Sequence, residues 1–286
     1  MFENILIIGG MNPNFDIVLK SVCSLKKLGS RKCTLFHCIS SNEANETVSS
    51  SISELYTEEL KVQEKMLVEE GYEVKLQVTS GDLREELKKE VELEDFSLIV
   101  SGASERSLLG TLLEREAAYS IMAGISLPLL LVRVPSYPSR KVLYQTECNL
   151  HSHILCPVDY TESTGTVMGT VSKMVESGAD RITLIHVIEN NHHKHEKAAE
   201  EMVETRDDRE TLQRMAEDLK KGKAAVDVTV RTGSPAEEII RAADETGVTL
   251  IVMGSKGKGL VREMYLGSVS HKVARHSSVS VMLMPV

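Results

Sequence analysis

Several common sequence features are missing from this chain of 286 residues, and each absence excludes a class of protein. The five cysteines are odd in number and show no Cys-x-x-Cys spacing, which is typical of reduced thiols in the cytosol and argues against a disulfide framework. Lys and Arg number 33 against 42 Asp and Glu, so the net charge is -9. Because binding to a nucleic-acid backbone needs clustered basic residues in excess, we expect no nucleic-acid partner.

Membrane and secretion signals are also missing. No apolar run approaches the roughly eighteen residues of a membrane span, and the start, Met1-Phe-Glu-Asn-Ile-Leu-Ile-Ile, has no basic leader and no cleavage site. We therefore expect a soluble cytoplasmic protein with no membrane partner. A content of 42% hydrophobic and 26% charged residues is typical of a globular chain, and its length predicts two domains of ordinary size.

The familiar phosphate-binding motifs are absent, but another glycine-rich loop is present. There is no Gly-x4-Gly-Lys-Ser/Thr, and no Gly-x-Gly-x-x-Gly follows the first strand of either half. Instead, the apolar run 250–253 leads into Gly254-x-x-Gly257, and nine residues later Gly267-Ser268 opens a helical pattern. A lone Gly-x-x-Gly is more often a simple turn. In this context, however, glycines let the main chain approach an anion and adopt positive φ, and a helix N-terminus offers free N–H groups, so the loop predicts a phosphate-bearing ligand.

The two halves of the chain are copies of one plan. Residues 34–39 match residues 183–188 at an offset of 149, and residues 97–102 match residues 249–254 at an offset of 152. In each half, apolar strand patterns alternate with helical ones. Five strands alternating with four helices predict an α/β fold with a five-stranded parallel sheet and helices on both faces.

A proline-rich joint at residues 135–139 predicts the boundary between the halves. We therefore expect one domain over residues 1–137, a linker over 138–150 and a second domain over 151–286. Residues 141–146 could form an extra edge strand or belong to the linker.

A ligand of an open parallel sheet lies beyond the carboxyl ends of the strands, where the strand order reverses. In the second half these strand ends are Pro157-Val-Asp159 and Met253-Gly254. The Asp159 carboxylate is well placed to accept hydrogen bonds from ribose hydroxyls. It could equally cap a helix that begins near Ser163, and both interpretations stay open.

With these residues in view, the second half resembles a universal stress protein domain of the ATP-binding subgroup. The resemblance covers residues 153–286 and rests on segments 154–159, 186–188 and 233–239 and on the loop from Gly254 to Ser268. It implies two tandem Rossmann-like domains of the adenine nucleotide alpha hydrolase-like type. It also implies a bound ATP or AMP, with or without Mg²⁺, in a protein of stress response or signalling.

The resemblance also implies which residues hold the nucleotide. Pro157 and Asp159 would contact the nucleotide, with Asp159 binding the ribose, and Val187 and Met253 would border the adenine. The phosphates would be held by Gly254, Lys256, Gly257, Gly267, Ser268, Val269 and Ser270. Lys256 is a cation inside the loop, although Lys256, Lys258 and Arg262 could also be ordinary solvated charges.

The first half departs from this pattern at its diagnostic positions. It has Gly10, Glu105, Arg115 and Glu116 where the second half has Asp159, Gly257, Gly267 and Ser268. Glu105 and Glu116 would place negative charge beside the phosphates. We therefore expect the first domain to keep the fold and to lack the nucleotide. Arg106 and Arg115 could partly offset these acids, so a different ligand in this domain stays open.

Histidines form the remaining candidate sites. His192, His193 and His195 could bind zinc or nickel, but they lie in a polar stretch without cysteine, so we expect adventitious affinity and no dedicated metal site. His37 and His186 occupy equivalent strand positions, which favours packing or hydrogen bonding over catalysis.

Two classes of function follow from the sequence. The first is a nucleotide-binding module with one site in the second domain. The second is a structural or interaction protein in which the tandem domains mimic a homodimer, through the apolar strands at 127–132 and 279–284, and nucleotide is incidental. A further protein partner or homodimer stays open. Because nothing resembles a nucleophile with a base and an orienting acid, efficient hydrolysis is not predicted, while slow turnover of ATP and an unrelated enzyme activity on this fold stay open.

Overall fold

The computed structural model divides the chain into two compact units, Met1–Asn149 and Leu150–Val286. The residues that it describes are 1–9, 15–40, 49–104, 125–134, 149–189, 198–220, 222–256 and 266–285. The proline-rich joint, residues 141–146 and the histidines at 192, 193 and 195 lie outside them. The expected domain and linker bounds stay a prediction.

The first unit is a parallel sheet whose strands alternate with helices. Its strands lie in the order β3-β2-β1-β4-β5, and every pair is parallel. A short 3-10 helix, Leu25–Leu28, follows the first α-helix. The elements are β1 (Asn4–Ile8), α1 (Phe15–Ser24), β2 (Lys32–Ser40), α2 (Ser49–Glu69), β3 (Glu73–Gly81), α3 (Leu83–Leu93), β4 (Leu98–Ser104) and β5 (Leu129–Val134).

The second unit repeats this plan. Its strands lie in the order β10-β9-β6-β7-β8, and all pairs are parallel. When the strands are numbered one to five within each unit, both sheets have the order 3-2-1-4-5. The predicted α/β class and the internal repeat are therefore confirmed. The elements are β6 (His153–Pro157), α4 (Glu162–Glu176), β7 (Arg181–Glu189), α5 (Ala198–Leu219), β8 (Ala225–Gly233), α6 (Pro235–Thr246), β9 (Leu250–Gly254), α7 (Ser268–His276) and β10 (Ser280–Met284).

Burial explains the continuous apolar runs of the central strands. Leu250, Ile251 and Val252 of β9 have no exposed surface, as expected for a strand covered on both faces. Each such side chain contributes about 1.5–3 kcal/mol to folding. Among the described residues, no helix combines the length and the hydropathy needed to cross a membrane.

Side-chain contacts repeat along with the strands. The Ser97 hydroxyl donates to the carbonyl of Asn4 at 2.8 Å, and the Thr249 hydroxyl donates to the carbonyl of His153 at 3.1 Å. In both units this bond ties the start of the first strand to the residue just before the fourth. The two halves therefore share individual contacts as well as topology.

Candidate functional site

The candidate site lies where the strand order of the second unit reverses, between β6 and β9. These strands pair only at Ile154 with Leu250 and at Leu155 with Ile251. The equivalent strands of the first unit, β1 and β4, stay paired from Ile5 through Ile8. In the second unit the hydrogen-bonded ladder between the two strands therefore ends two residues earlier.

Pro157 explains why the pairing of β6 with β9 ends early. Successive residues of a parallel strand direct their N–H groups to opposite neighbours. The Val158 N–H donates to the carbonyl of Ile185 on β7 at 2.8 Å, so the backbone at position 157 faces β9. Proline has no N–H to donate there. The first unit has Ile8 at this position, and its ladder continues.

Asp159 follows two residues after β6 and organises the start of α4. Its Oδ1 accepts hydrogen bonds from the Thr161 N–H at 3.1 Å, the Thr161 hydroxyl at 2.6 Å and the Thr164 hydroxyl at 3.1 Å. The N-cap residue of α4 is Thr161, so the alternative that Asp159 itself is the N-cap is wrong. All three of these bonds use Oδ1.

Gly254 ends β9 at a place that has no room for a side chain. A Cβ there would lie 2.9 Å from Ser163 Oγ and 3.1 Å from the carbonyl oxygen of Lys256. The expectation that the loop glycines adopt positive φ is wrong for Gly254, whose backbone is not left-handed, and for Gly267, whose φ is -71°. Close approach of neighbouring atoms explains the glycine at 254.

The helix predicted to open at Gly267-Ser268 is confirmed. Gly267 is the N-cap of α7, and its N–H donates to the carbonyl of Ser255 at 2.7 Å. The buried Ser270 hydroxyl donates to the carbonyl of Gly254 at 2.8 Å, which fixes the first turn of α7 against the end of β9. The first N–H groups of a helix have no partner within it. In α7 they belong to Ser268, Val269 and Ser270.

The remaining predicted contacts divide between strands and loop. Met253 is buried near the end of β9, with 5% of its surface exposed. Val187 on β7 and Lys256 in the loop are half-buried. Gly257 lies outside the described residues. The structure therefore brings the end of β6, the start of α4, the end of β9 and the start of α7 together.

Three polar residues next to the site were missed by the sequence reasoning. Thr161 and Ser163 carry the hydroxyls that connect Asp159 with the loop: their oxygens lie 2.7 Å apart, and Ser163 Oγ donates to the carbonyl of Lys256 at 3.4 Å. The sequence could have indicated both residues, because Thr161 and Ser163 are hydroxyl residues two and four positions after Asp159. Asp208 on α5 had no such signal, because it sits in a long polar helix.

Asp208 belongs to a cluster with Tyr160 and His186. The Tyr160 ring lies against His186 with centroids 4.6 Å apart, and its hydroxyl donates to the Asp208 carbonyl at 3.1 Å. Burial, followed by the nearby Asp208 carboxylate, raises the pKa of Tyr160. The phenol therefore stays protonated and keeps its donor. His186 Nδ1 donates to the carbonyl of Val158 at 2.7 Å, which confirms the hydrogen-bonding role expected for this histidine.

Cys156 on β6 is a buried thiol among the titratable groups of the second unit. Burial raises the pKa of the Cys156 thiol on β6 to about 12, so it stays protonated and unreactive at neutral pH. Within the described ranges, no group of three His, Cys, Asp or Glu side chains could hold a metal ion. What the site offers is a carboxylate, a close backbone turn and the N-terminus of a helix.

Comparison with known proteins agrees with the fold. The universal stress protein MJ0577 of Methanocaldococcus jannaschii is 28% identical over 156 residues, which cover 47% of this chain and 94% of that protein. The universal stress protein YxiE of Bacillus subtilis is 53% identical over 51 residues, which cover 18% of this chain and 34% of that protein.

A solved structure extends the similarity to the whole chain. The crystal structure of a universal stress protein from Archaeoglobus fulgidus matches 99% of this chain and 96% of its own, with a TM-score of 0.72 and 22% identity, which is evidence for the fold. The sequence model of the Universal stress protein family matches residues 1–133 and again residues 151–285. The chain therefore belongs to the universal stress protein family, as a member with two tandem domains.

Proposed function

We propose that the second domain binds one adenine nucleotide, ATP or AMP, at the carboxyl ends of β6 and β9, and that the protein acts as a nucleotide-dependent module in the stress response or in signalling. One observation carries the proposal. The reversal of strand order, the end of the β6–β9 ladder after Leu155, the Asp159 carboxylate and the N-terminus of α7 all occur at one end of one sheet. Nucleotides bind open α/β sheets at such reversals.

The phosphates are assigned to the loop and to the start of α7. The N–H groups of Ser268, Val269 and Ser270 and the positive end of the helix dipole favour an anion. Gly254 keeps the backbone free of a side chain, Lys256 adds a positive charge, and Gly257 and Gly267 continue the loop. Mg²⁺ accompanying ATP would be held mainly by phosphate oxygens and water, because proteins seldom surround this ion fully.

The nucleoside is assigned to the strand ends. Asp159 binds the ribose through Oδ2, since the three bonds to Oδ1 fix the orientation of its carboxylate. Val187 and Met253 border the adenine with apolar surface, and Pro157 keeps the β6–β9 ladder from extending into the site. The first domain is proposed to be empty, since Gly10 and Glu105 replace Asp159 and Gly257 there.

The test is a direct search for the nucleotide. The purified protein is denatured, and any released nucleotide is identified by mass spectrometry. ATP and AMP are then titrated calorimetrically into the wild type, Asp159→Ala and Gly257→Glu, with Gly165→Ala as a matched control. Gly165 is exposed on α4, and a Cβ there would meet nothing within 4 Å.

We expect one nucleotide per wild-type chain and unchanged binding to the Gly165→Ala control. Asp159→Ala should weaken binding about 10- to 100-fold, because hydrogen bonds to a charged group contribute roughly 1.5–3 kcal/mol. Gly257→Glu should abolish it. A wild type that binds neither nucleotide at millimolar concentration would rule out the proposal and leave the scaffold role. A stoichiometry of two would instead refute the empty first domain.

A further inference from the structure

We infer that β8 is the surface through which two copies of this chain form a twofold-symmetric dimer, by antiparallel pairing with the β8 of the second copy. β8 is the last strand of its sheet, and among the described strands it pairs only with β7. The inference goes beyond nucleotide binding and does not depend on the proposed nucleotide site, so the two are tested separately.

The outer backbone of β8 is available for pairing along the whole strand. The Ala225 N–H donates to the carbonyl of Asp180 at 2.9 Å, on the side of β7. Backbone groups alternate between the two sides of a strand, so the N–H and C=O groups of the even-numbered residues face away from β7. None of these residues makes a backbone bond to another element of the described chain; they are Val226, Val228, Val230 and Thr232.

β8 lacks the features that usually keep an edge strand from pairing. Edge strands are commonly short, or carry a proline, a bulge or charges that repel another strand. β8 is nine residues long and contains no proline. Its register with β7 advances one residue at a time from Ala225 to Gly233, so it has no bulge. Its two charged residues, Asp227 and Arg231, are of opposite sign.

The positions of these two charges favour a second copy as the partner. Thr229 is the middle residue of β8, and Asp227 and Arg231 each lie two residues from it. In an antiparallel pair with its twofold axis at Thr229, each Asp227 therefore faces Arg231 of the other copy, and the even-numbered residues form the hydrogen-bonded pairs. Unlike charges that face each other directly stabilise strand pairing. Moving the axis by one residue places both charges opposite uncharged residues, and moving it by two opposes like charges.

Both charges also have partners of opposite sign within the chain. Arg181 Nε lies 2.7 Å from Asp227 Oδ2, and a terminal nitrogen of Arg231 lies 2.7 Å from Glu245 Oε2. In the dimer, Arg181 and Asp227 of one copy would continue into Arg231 and Glu245 of the other. This row alternates in sign, and a network of charges contributes more than an isolated exposed pair.

The opposite face of β8 supplies apolar surface. Val226, Val228 and Val230 alternate with the polar residues of the strand, and all three are only half-buried. With the axis at Thr229, Val228 of each copy faces Val230 of the other. Pairing therefore covers apolar surface that a single chain leaves exposed, which adds to the backbone bonds.

The equivalent edge strand of the first unit, β3, is not complementary to itself. It is also nine residues long and also lies at the end of the strand order. At the offset of 152, however, Lys75 and Thr79 stand where the second half has Asp227 and Arg231. A twofold pair of β3 strands would place Lys75 opposite a neutral threonine. The repeat therefore provides an internal control, an edge of the same length with different charges.

The test is the oligomeric state of this chain, measured by sedimentation equilibrium over a range of concentrations. We expect a dimer with a dissociation constant of about 1–100 µM, since one strand pair buries less area than a standard interface. Asp227→Arg and Arg231→Asp should each weaken dimerisation at least about tenfold, because each replaces two pairs of unlike charges with two pairs of like charges.

Thr79→Arg is the matched control on β3. The Thr79 hydroxyl donates to Glu86 Oε2 at 2.7 Å, so the new arginine would lie beside a carboxylate, as Arg231 lies beside Glu238. In any twofold pair of β3 strands it would face Lys75 and repel it. Thr79→Arg should therefore leave a dimer formed through β8 unchanged, and a dimer that it weakens overturns the inference.

Mixing the two variants of β8 distinguishes a lost interface from a damaged fold. Asp227→Arg leaves two basic residues on the strand and Arg231→Asp leaves two acidic ones, so the two variants complement each other. An equimolar mixture should dimerise about as well as the wild type, although neither variant does so alone. A mixture that stays monomeric overturns the inference, as does a wild type that is monomeric throughout the expected range of concentration.

Hydrogen exchange of the wild type is a second measurement that needs no variant. The amides of Val228 and Val230 become hydrogen-bonded in the dimer, so their protection should rise with protein concentration. On β3 the Glu73 N–H donates to the Arg31 carbonyl on the side of β2, so the even-numbered residues face outward there as well. The outward amides of β3 should show no such rise. Protection on β8 that does not change with concentration overturns the inference.

Discussion

Ser163 lies against Gly254 so closely that a side chain at position 254 would overlap with it. A Cβ on Gly254 would be 2.9 Å from Ser163 Oγ and 3.0 Å from Ser163 Cβ. Ser163 is buried in the first turn of α4, and its hydroxyl also donates to the Lys256 carbonyl. The helix that follows β6 therefore supports the loop that follows β9. The proposed ribose and phosphate contacts are joined by this packing.

Gly254→Ala should damage both stability and nucleotide binding. The added methyl must displace either the buried Ser163 or the loop backbone, which typically costs about 1–3 kcal/mol in the free energy of unfolding. We expect ATP affinity to fall by about tenfold or more as the loop moves. Urea denaturation and calorimetric titration measure the two effects.

A double-mutant cycle isolates the contact behind this prediction. Ser163→Gly removes the two nearest of the three atoms that the new methyl would meet and leaves the Lys256 carbonyl oxygen. Ser163→Gly combined with Gly254→Ala should therefore lose less than the two single changes added together. Gly102→Ala is the control in the first unit, where the nearest atom to a Cβ is Val18 Cγ2 at 3.2 Å. It should leave ATP affinity unchanged. Strictly additive losses at 163 and 254 would show that their packing does not matter.

Much of the fold was predictable from the sequence, because it depends on local patterns. The alternation of apolar runs with helical patterns predicted the order of elements and the parallel sheets. The offsets of 149 and 152 predicted the repeat. Where a strand ends depends on its neighbour in the sheet as well as on its own apolar pattern. For example, β8 extends to Gly233, beyond the apolar pattern that ends at Val230, because it stays paired with the long strand β7.

The candidate site was predictable only as a set of positions. The glycine at 254 was expected to give backbone freedom, but it is required by Ser163, which is distant in the chain, and no spacing in the sequence reveals that contact. Likewise, Asp208 and His186 meet across a helix and a strand. Asp159 looked like either a ribose ligand or a helix cap, and its bonds to Thr161 and Thr164 became evident only in three dimensions.

Pro157→Ile should extend the pairing between β6 and β9. Isoleucine restores the N–H that faces β9, as Ile8 does in the first unit, so the ladder should lengthen toward the proposed nucleotide site. One added backbone bond contributes about 0.5–1.5 kcal/mol to the free energy of unfolding. We expect the new amide to be protected from hydrogen exchange and ATP affinity to fall about tenfold.

A second proline provides the control for this change. Pro235 occupies the first turn of α6, where a backbone N–H has no partner within the helix. Pro235→Ala should leave both the β6–β9 ladder and ATP affinity unchanged. If Pro157→Ile gains the protected amide and still binds ATP like the wild type, the early end of the ladder has no role in binding.

The stability of the second unit should fall in mild acid because of His153. Burial, and then the positive charge of Arg181, lowers the pKa of this side chain. Its ring bonds to Thr183 and the Thr246 carbonyl. The unfolded chain therefore binds more protons near and below its ordinary pKa of about 6.5, so this contribution is complete above that pH and is lost progressively as the pH falls below it.

His153→Asn tests the pH dependence with a residue that the repeat itself uses. Asn4 is the counterpart of His153 in the first unit, and its amide donates to the Asp95 carbonyl at 3.4 Å. The free energy of unfolding, measured in urea from pH 7.5 to pH 5, should decline less steeply in His153→Asn than in the wild type. Parallel curves for the two proteins would show that His153 does not cause the acid sensitivity.

Gly81 and Gly233 should respond alike to substitution by alanine, because they are the same turn in the two repeats. Their φ angles are 149° and 151°, and a Cβ would lie 3.3 Å from Glu86 Cγ in the first unit and 3.1 Å from Glu238 Cγ in the second. Each alanine should lower the free energy of unfolding by about 1–3 kcal/mol, since it forces a left-handed backbone against a neighbouring side chain. Gly165→Ala, in an open position on α4, should instead raise it by up to about 1 kcal/mol. Denaturant unfolding of the three variants measures these changes in the free energy of unfolding. If alanine is tolerated at position 81 but destabilises the protein at position 233, the two turns share a shape but do not both require glycine for stability.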